Sequence, residues 1–126
     1  MELNDLLIKT VEAGASDLHI CAGVPPVIRV NGDLIYLNEP ILTPHDCVHL
    51  AKQCLNNRLY ETFLEKGEVD ASYTVPGVAR FRMNVFKQRA TCAIALRPIP
   101  TDIPLIEDLG LPGLVYDLSL KQRGLI

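Results

Sequence analysis

The chain has 126 residues, of which 48% are hydrophobic and 21% are charged, and its formal net charge is −3. This length suits one domain and excludes a complete nucleotide-hydrolysing motor, while the negative charge argues against bulk binding of nucleic acid. The four cysteines form no Cys-x-x-Cys pair and are predicted to stay reduced. No apolar run is long enough for direct insertion into a membrane.

Up to about residue 67 the chain is predicted to form one helix, three strands and two more helices. Apolar spacing and β-branched runs place these elements, in order, at 3–11, 17–21, 27–30, 34–37, 44–55 and 58–66. Asn31 and Gly32 suit a two-residue hairpin turn, because both tolerate positive φ. Thr43 is the predicted N-cap of the second helix, with Pro44 in its first turn. The first five residues lack the basic stretch of a secretory signal, so we also predict a cytoplasmic protein.

From residue 69 the apolar period changes to two, which predicts three long strands at 69–75, 79–85 and 92–96. A three-residue connection would pair Val75 with Ala79. Pro98, Pro100 and Pro104 are then incompatible with regular structure. The tail is predicted to contain a short helix at 111–120 and the beginning of a strand at 124–126. The chain is thus predicted to be an α+β domain over residues 1–98, with a mostly antiparallel sheet and helices on one face, followed by a linker segment at 99–126.

Three arginines are predicted to share one face of this sheet. If Gln88 and Arg89 form a two-residue loop, the apolar pairs across the two flanking strands all fall on one side. On the other side Arg80 then lies directly opposite Arg97, with Arg82 one pleat further along. Three guanidinium groups would therefore lie close together.

Such an arrangement is costly, because like charges directly across an antiparallel pair repel each other. An acid or a bound anion must offset the repulsion, and Asp17 and Asp70 are the candidate acids. Two interpretations stay open on spacing alone. One is an anion site, and the other is an ordinary solvated sheet face held by an Arg-to-Asp bridge.

The histidines indicate neither a metal site nor catalysis. His45 and His49 stand at i and i+4 on one helix, but no third ligand follows at a suitable spacing, and structural zinc sites want four. We therefore predict no bound metal. His19 alternates with core residues and has no visible Ser, Cys or carboxylate partner, so it is predicted to be a surface or hydrogen-bonded histidine. No catalytic residue is predicted in this chain.

Four motifs resemble the retraction ATPases of type IV pili, which drive twitching motility and belong to the secretion ATPase superfamily. They are Ala15-Ser16-Asp17-Leu18-His19, Gly23-x-Pro25-Pro26-x-x-Arg29-x-x-Gly32, Ala79-Arg80-Phe81-Arg82-x-Asn84-x-Phe86 and Leu96-Arg97-x-Ile99-Pro100. The resemblance implies a PAS-like domain over 1–98. It also implies that 99–126 holds the interdomain linker, a short helix and the first residues of a RecA-like ATPase domain that this chain lacks.

The resemblance further implies that Arg80, Arg82 and Arg97 face the phosphates of ATP, with Leu111 and Pro112 near the base. The full-length protein would use ATP and Mg²⁺ and would assemble as a homohexamer with the pilus machinery at the cytoplasmic face of the inner membrane. Its partners would be its own RecA-like domain and neighbouring subunits.

This chain contains no G-x-x-x-x-G-K-[ST], so by itself it is expected neither to hydrolyse ATP nor to hold a cofactor. The alternative is a free-standing PAS-like module that binds a small ligand, or a structural adaptor. A ligand-binding module should have a roomy apolar pocket, whereas an adaptor should have Arg80 and Arg97 locked in internal salt bridges.

Overall fold

The computed structural model describes residues 1–125. In chain order the elements are α1 (Leu3–Glu12), β1 (Asp17–Ile20), β2 (Val27–Val30), β3 (Asp33–Tyr36), α2 (Pro44–Cys54), α3 (Asn57–Lys66), β4 (Glu68–Val75), β5 (Ala79–Gln88), β6 (Thr91–Ile99), a 3₁₀ helix (Ile106–Leu109) and α4 (Gly113–Ser119). In this part of the chain the strands form one sheet in the order β3-β2-β1-β6-β5-β4. Every neighbouring pair is antiparallel, which confirms the predicted α+β class.

The core lies between one face of the sheet and helices α1, α2 and α3. On β5 the side chains of Phe81, Met83 and Val85 are buried, while those of Arg80 and Arg82 between them are exposed. Helix α1 contacts β1, α2 contacts β6 and α3 contacts β4. These helices cover only the core face and leave the other face of the sheet open. Because successive side chains of a strand point to opposite faces, Arg80 and Arg82 lie on that open face. The PAS likeness and the division at residue 98 stay predictions.

The first hairpin follows the sequence prediction. Asn31 has a φ of 50° and Gly32 a φ of 88°, and Val30 pairs with Asp33 across the turn. Left-handed backbone at both central positions matches the right-handed twist of the flanking strands, which is why Asn-Gly is favoured there. The turn therefore fixes the register between β2 and β3.

A capping box begins α2. The backbone N–H of Asp46 donates to Thr43 Oγ1 at 3.2 Å, and the backbone N–H of Thr43 donates to Asp46 Oδ2 at 2.8 Å. Two N–H groups that have no partner inside the helix are satisfied in this way. The predicted N-cap is confirmed.

Replacing Thr43 with alanine is expected to lower the free energy of unfolding by about 1 kcal/mol, because one capping acceptor is lost. Equilibrium urea unfolding followed by circular dichroism measures this change. Thr43→Ser keeps the acceptor oxygen and should stay close to wild type. Equal losses in both variants would show that the methyl group, and not the cap, supplies the stability.

The prediction of a two-residue loop between β5 and β6 is wrong in its position, because the loop lies one residue later in the chain than predicted. Gln88 pairs with Thr91, so the turn residues are Arg89 and Ala90, with φ values of 48° and 63°. Thr91 Oγ1 donates to the carbonyl of Gln88 at 2.7 Å and closes the turn. The register consequently shifts by two residues, and Arg82, not Arg80, lies opposite Arg97. A shift of two leaves each side chain on its predicted face, so hydrophobic patterning alone could not detect it.

The other connections show one confirmed pairing and two differences. Val75 pairs with Ala79 across a three-residue connection, as predicted. Pro98, however, lies inside β6. The pairing of β1 with β6 reaches only Leu96, so the missing N–H of Pro98 interrupts no hydrogen bond between those strands. The 3₁₀ helix after β6 was not predicted.

At the end of the chain, α4 confirms the predicted short helix. Gly124 and Leu125 belong to no strand, contrary to the prediction, and Ile126 lies outside the described residues. All four cysteines are free thiols, as predicted, and burial raises the pKa of Cys54 to about 12. Within the described residues no helix is long and apolar enough to span a bilayer.

Candidate functional site

One row of facing residues crosses the open face of the sheet from edge to edge. We call it the arginine row, and from β3 to β4 it consists of Leu34, Arg29, Asp17, Arg97, Arg82 and Ser72. The pairing of Leu18 with Leu96 sets the register of β1 on β6 and so places Asp17 opposite Arg97. Antiparallel pairing thus brings together side chains that lie up to 80 positions apart in sequence.

The three arginines predicted as site residues do share this face. Arg82 and Arg97 are cross-strand neighbours within the row. Arg80 lies two residues before Arg82 on β5 and therefore points to the same side. All three are exposed, whereas Phe81 between the first two is fully buried. Strand periodicity places the guanidinium groups on the face away from the core.

Asp17 contacts two arginines, Arg97 and Arg29. Its Oδ1 accepts from Nε of Arg97 at 3.1 Å and from Nη2 of Arg97 at 2.9 Å. Its Oδ2 lies 3.6 Å from Nε of Arg29 and accepts from Ser16 Oγ at 2.8 Å. Burial acts to raise the pKa of the Asp17 carboxyl, but the hydrogen bonds from Ser16 and Arg97 outweigh it and leave that pKa below its ordinary value. Asp17 is therefore ionised at neutral pH.

Arg80 and Arg82 have fewer polar contacts than Arg97. Nη2 of Arg80 donates to Ser72 Oγ at 3.2 Å. Within residues 1–125 the side chain of Arg82 has neither a hydrogen bond nor a salt bridge, although it lies directly across from Arg97. Asp70, the other candidate acid, accepts from Asn84 Nδ2 at 3.2 Å. Of the two candidates, Asp17 is thus the acid that offsets the arginine charges.

The row carries an excess of positive charge. Its three guanidinium groups, those of Arg29, Arg82 and Arg97, face one carboxylate, that of Asp17, which leaves two positive charges in excess. A surface depression of about 230 Å³ is lined by Arg82, Arg97, Asp17 and Asp70, among others. A water molecule occupies roughly 30 Å³ in the liquid, so the depression has the volume of several water molecules and has room for a phosphate-sized anion. The rigid donors of guanidinium groups match phosphate oxygens two at a time.

Arg29 is the charged residue of this row that was not predicted from the sequence to belong to the site. It follows the buried Ile28 on β2, so strand alternation could have placed it on the open face. Its Nη1 donates to the carbonyl of Gly32 at 3.2 Å, which ties the side chain to the Asn31-Gly32 turn. Its closeness to Asp17 follows only from the pairing of β1 with β2.

The histidines contribute differently from one another. His45 and His49 are exposed on α2, and Nδ1 of His49 lies 3.2 Å from Nε2 of Gln53. In the described part of the chain, no cluster of three or more His, Cys, Asp or Glu side chains could hold a metal ion. His19 is half-buried on the open face, and its buried Nε2 has no hydrogen-bond partner within residues 1–125. The expectation of a surface or hydrogen-bonded histidine is not met at that atom.

The predicted base contacts lie in the segment after β6. Leu111 is about half exposed, and Pro112 is the residue before α4. Large apolar side chains in this segment are exposed, at Ile103, Leu105, Leu109, Leu111, Leu114, Tyr116, Leu120 and Leu125. Contact of Leu111 and Pro112 with a nucleotide base stays a prediction.

No protein-family profile matches the chain. Among curated proteins, the chain is 41% identical over its full length to the type IV pilus retractation ATPase PilT of Pseudomonas aeruginosa. It is 37% identical, again over its full length, to the type IV pilus ATPase PilU of the same organism. It covers 37% of the first relative and 33% of the second, so it spans about a third of their length. A twitching motility protein of Neisseria gonorrhoeae is 30% identical over 80% of this chain, which is 27% of that relative.

Solved structures agree with these relatives. A crystal structure of the pilus retraction motor PilT with bound ADP superimposes with a TM-score of 0.82 at 40% identity, covering 96% of this chain and 36% of that one. The Legionella pneumophila ATPase DotB superimposes with a TM-score of 0.74 at 25% identity, covering 96% of this chain and 35% of that one.

Proposed function

Since this chain matches over its whole length the amino-terminal part of PilT-like secretion ATPases, and so belongs to their family, we propose that it is the regulatory and assembly domain of such a motor. It brings Arg80, Arg82 and Arg97 to an ATP site between itself and a RecA-like domain, and it offers a docking face to a neighbouring subunit of a homohexamer. The observation that carries the proposal is the arginine row with its two excess positive charges.

Phosphate recognition explains why this row tolerates its own repulsion. Arg82 and Arg97 lie directly across an antiparallel pair, where like charges destabilise the sheet. Asp17 offsets only one of the positive charges. The phosphates of ATP, delivered by the RecA-like domain, would supply the remaining negative charge. A guanidinium group loses less conformational freedom per hydrogen bond than an ammonium group does, because its donors are fixed in one plane.

The remaining parts of the site belong to the other domain. The chain contains no G-x-x-x-x-G-K-[ST], so we assign the cradle of the β- and γ-phosphates and of Mg²⁺ to the RecA-like domain. Turnover then requires both domains, and this chain alone does not hydrolyse ATP. Leu111 and Pro112 contact the base from the linker side.

The exposed apolar side chains after β6 support a domain that works within a larger assembly. Ile103, Leu105 and Leu114 are all more than half exposed. Several large apolar side chains exposed within one short segment are typical of contact with another domain or subunit. We assign this contact to the RecA-like domain of the same motor. The assembled protein acts in the cytoplasm, with the pilus machinery at the inner membrane.

The filled core supports this proposal over a module that binds a small ligand between the sheet and the helices. The layer between the sheet and helices α1 to α3 is filled by side chains such as Leu6, Leu50 and Phe81, which are almost fully buried. A structural adaptor is favoured by one contact, the bridge from Arg97 to Asp17. Arg82, however, is left without a polar partner among residues 1–125, which an adaptor does not explain.

We expect Arg82→Ala, in the protein that includes the RecA-like domain, to lower kcat/KM for ATP about a hundredfold, because one charged donor to the phosphates is lost. Steady-state release of phosphate measures the effect. Arg58→Ala is the matched control, since Arg58 is an exposed arginine on α3, which packs on the other face of the sheet. Equal turnover by wild type and both variants would remove the role assigned to Arg82.

A further inference from the structure

Asp17 stands between two arginines on the open face and is itself almost covered. Its side chain is 14% exposed, while that of Arg97 is 71% exposed. We propose that Asp17 is a positioning residue, which holds Arg97 by one carboxylate oxygen and Arg29 by the other, so that the free edge of Arg97 is already set to meet an oxyanion beside Arg82. The identity of that oxyanion as a nucleotide phosphate rests on the proposed function.

The carboxylate is fixed from several sides. Ser16 Oγ donates to Asp17 Oδ2, and the backbone N–H of Ser16 donates to the carbonyl of Arg29 at 2.8 Å, which closes the end of the β1–β2 pair. Arg29 is in turn tied to the carbonyl of Gly32 in the hairpin turn. The short two-residue turn and the β1–β2 register therefore determine where the carboxylate lies.

Arg97 keeps donors free while it is held. Its contact with Asp17 uses Nε and Nη2, both directed at Oδ1. A guanidinium has five N–H groups, so the two on Nη1 and one on Nη2 are left for another acceptor. A free arginine side chain populates many rotamers, and Asp17 removes part of that freedom before any anion arrives. The cost of ordering Arg97 at the moment of binding is lowered as a result.

The charge of Asp17 also decides how strongly the row attracts an anion. One carboxylate among three guanidinium groups reduces the repulsion between Arg82 and Arg97 and still leaves the row positive. Removing that carboxylate should therefore not weaken the attraction for ATP. It should instead release Arg97 from its position. A positioning role thus predicts a loss in kcat without a rise in KM.

The test compares Asp17→Asn with Glu61→Gln in the protein that includes the RecA-like domain. Glu61 is an exposed acid on α3, which packs on the other face of the sheet, so its substitution removes one negative charge away from the row. For Asp17→Asn we expect kcat to fall about tenfold, the size of a lost positioning contact, with KM for ATP unchanged or lower. Glu61→Gln should leave both constants unchanged.

A double-substitution cycle with Arg97→Ala separates positioning from other effects. If Asp17 acts through Arg97, Asp17→Asn adds almost nothing once Arg97 is alanine. A full tenfold additional loss in that background, or a higher KM with unchanged kcat, would overturn the proposal. If Arg82→Ala leaves turnover unchanged, the proposed function fails, and the next measurement decides the positioning role independently of turnover.

That measurement uses the 126-residue chain and the NMR signal of the Arg97 Nε–H group. In wild type, exchange of this proton with water should be slowed by the hydrogen bond to Asp17, and Asp17→Asn should remove the slowing. The Arg80 and Arg82 signals in the same spectrum serve as controls, since within residues 1–125 neither side chain has a hydrogen bond or a salt bridge to Asp17. Fast exchange of the Arg97 proton already in wild type would contradict the proposal.

Discussion

Replacing Arg82 and Arg97 together by glutamine is expected to lower kcat/KM for ATP about a thousandfold in the protein that includes the RecA-like domain. Arginines that contact a transferring phosphoryl group can contribute 10³-fold or more in related chemistry. The two side chains are cross-strand neighbours and would share one triphosphate, so their effects should not multiply in full. Glutamine keeps much of the length and polarity while removing both charges. Phosphate release at saturating and limiting ATP measures kcat and KM separately.

The folded state of the same double variant provides the control. Removing Arg82 and Arg97 relieves the repulsion between them but also breaks the bridge from Arg97 to Asp17, so the free energy of unfolding of the 126-residue chain should change by no more than about 1 kcal/mol. Urea unfolding of the chain measures this directly. A double variant that is as stable as wild type and also hydrolyses ATP as fast would exclude a role for the row in nucleotide chemistry. A large loss of stability would instead indicate that the row is structural.

Phe81→Ala is expected to lower the free energy of unfolding of the chain by about 3–5 kcal/mol, which is the usual cost of truncating a buried phenylalanine. Phe81 is fully buried in the core beneath the row, and its neighbours on β5 are Arg80 and Arg82. A domain of this size is stabilised by only about 5–15 kcal/mol, so this variant should lie close to the limit of folding. The midpoint and slope of urea unfolding measure the change.

Phe86→Ala is the matched control for this substitution. Phe86 is a phenylalanine of the same strand, but it is only half-buried and lies on the open face. Its truncation should cost clearly less, because fewer of its contacts are lost and no closed cavity remains. Equal losses at the two positions would contradict the assignment of the core to the helical face of the sheet.

Local patterns in the sequence were enough to locate most elements. The Asn31-Gly32 turn, the Thr43 cap and the period of two on β5 each depend on residues close together in the chain. The same period placed Arg80, Arg82 and Arg97 on one face, which the structure shows. The register of β5 on β6 could not be predicted in this way, because a shift of two residues preserves every face assignment. The positive φ of Arg89 and Ala90 decided it, and neither residue is a usual choice for such a turn.

The sequence by itself thus determined the kinds of elements, the face on which the arginines lie and, through its four motifs, the resemblance to pilus retraction ATPases. Only the tertiary structure decided that Asp17 meets Arg97, which is 80 positions away, and that Arg29 joins them from the other side. Side-chain alternation is a local property of each strand, whereas the pairing of β1 with both β2 and β6 is a non-local one. The chemistry of the row depends on that pairing.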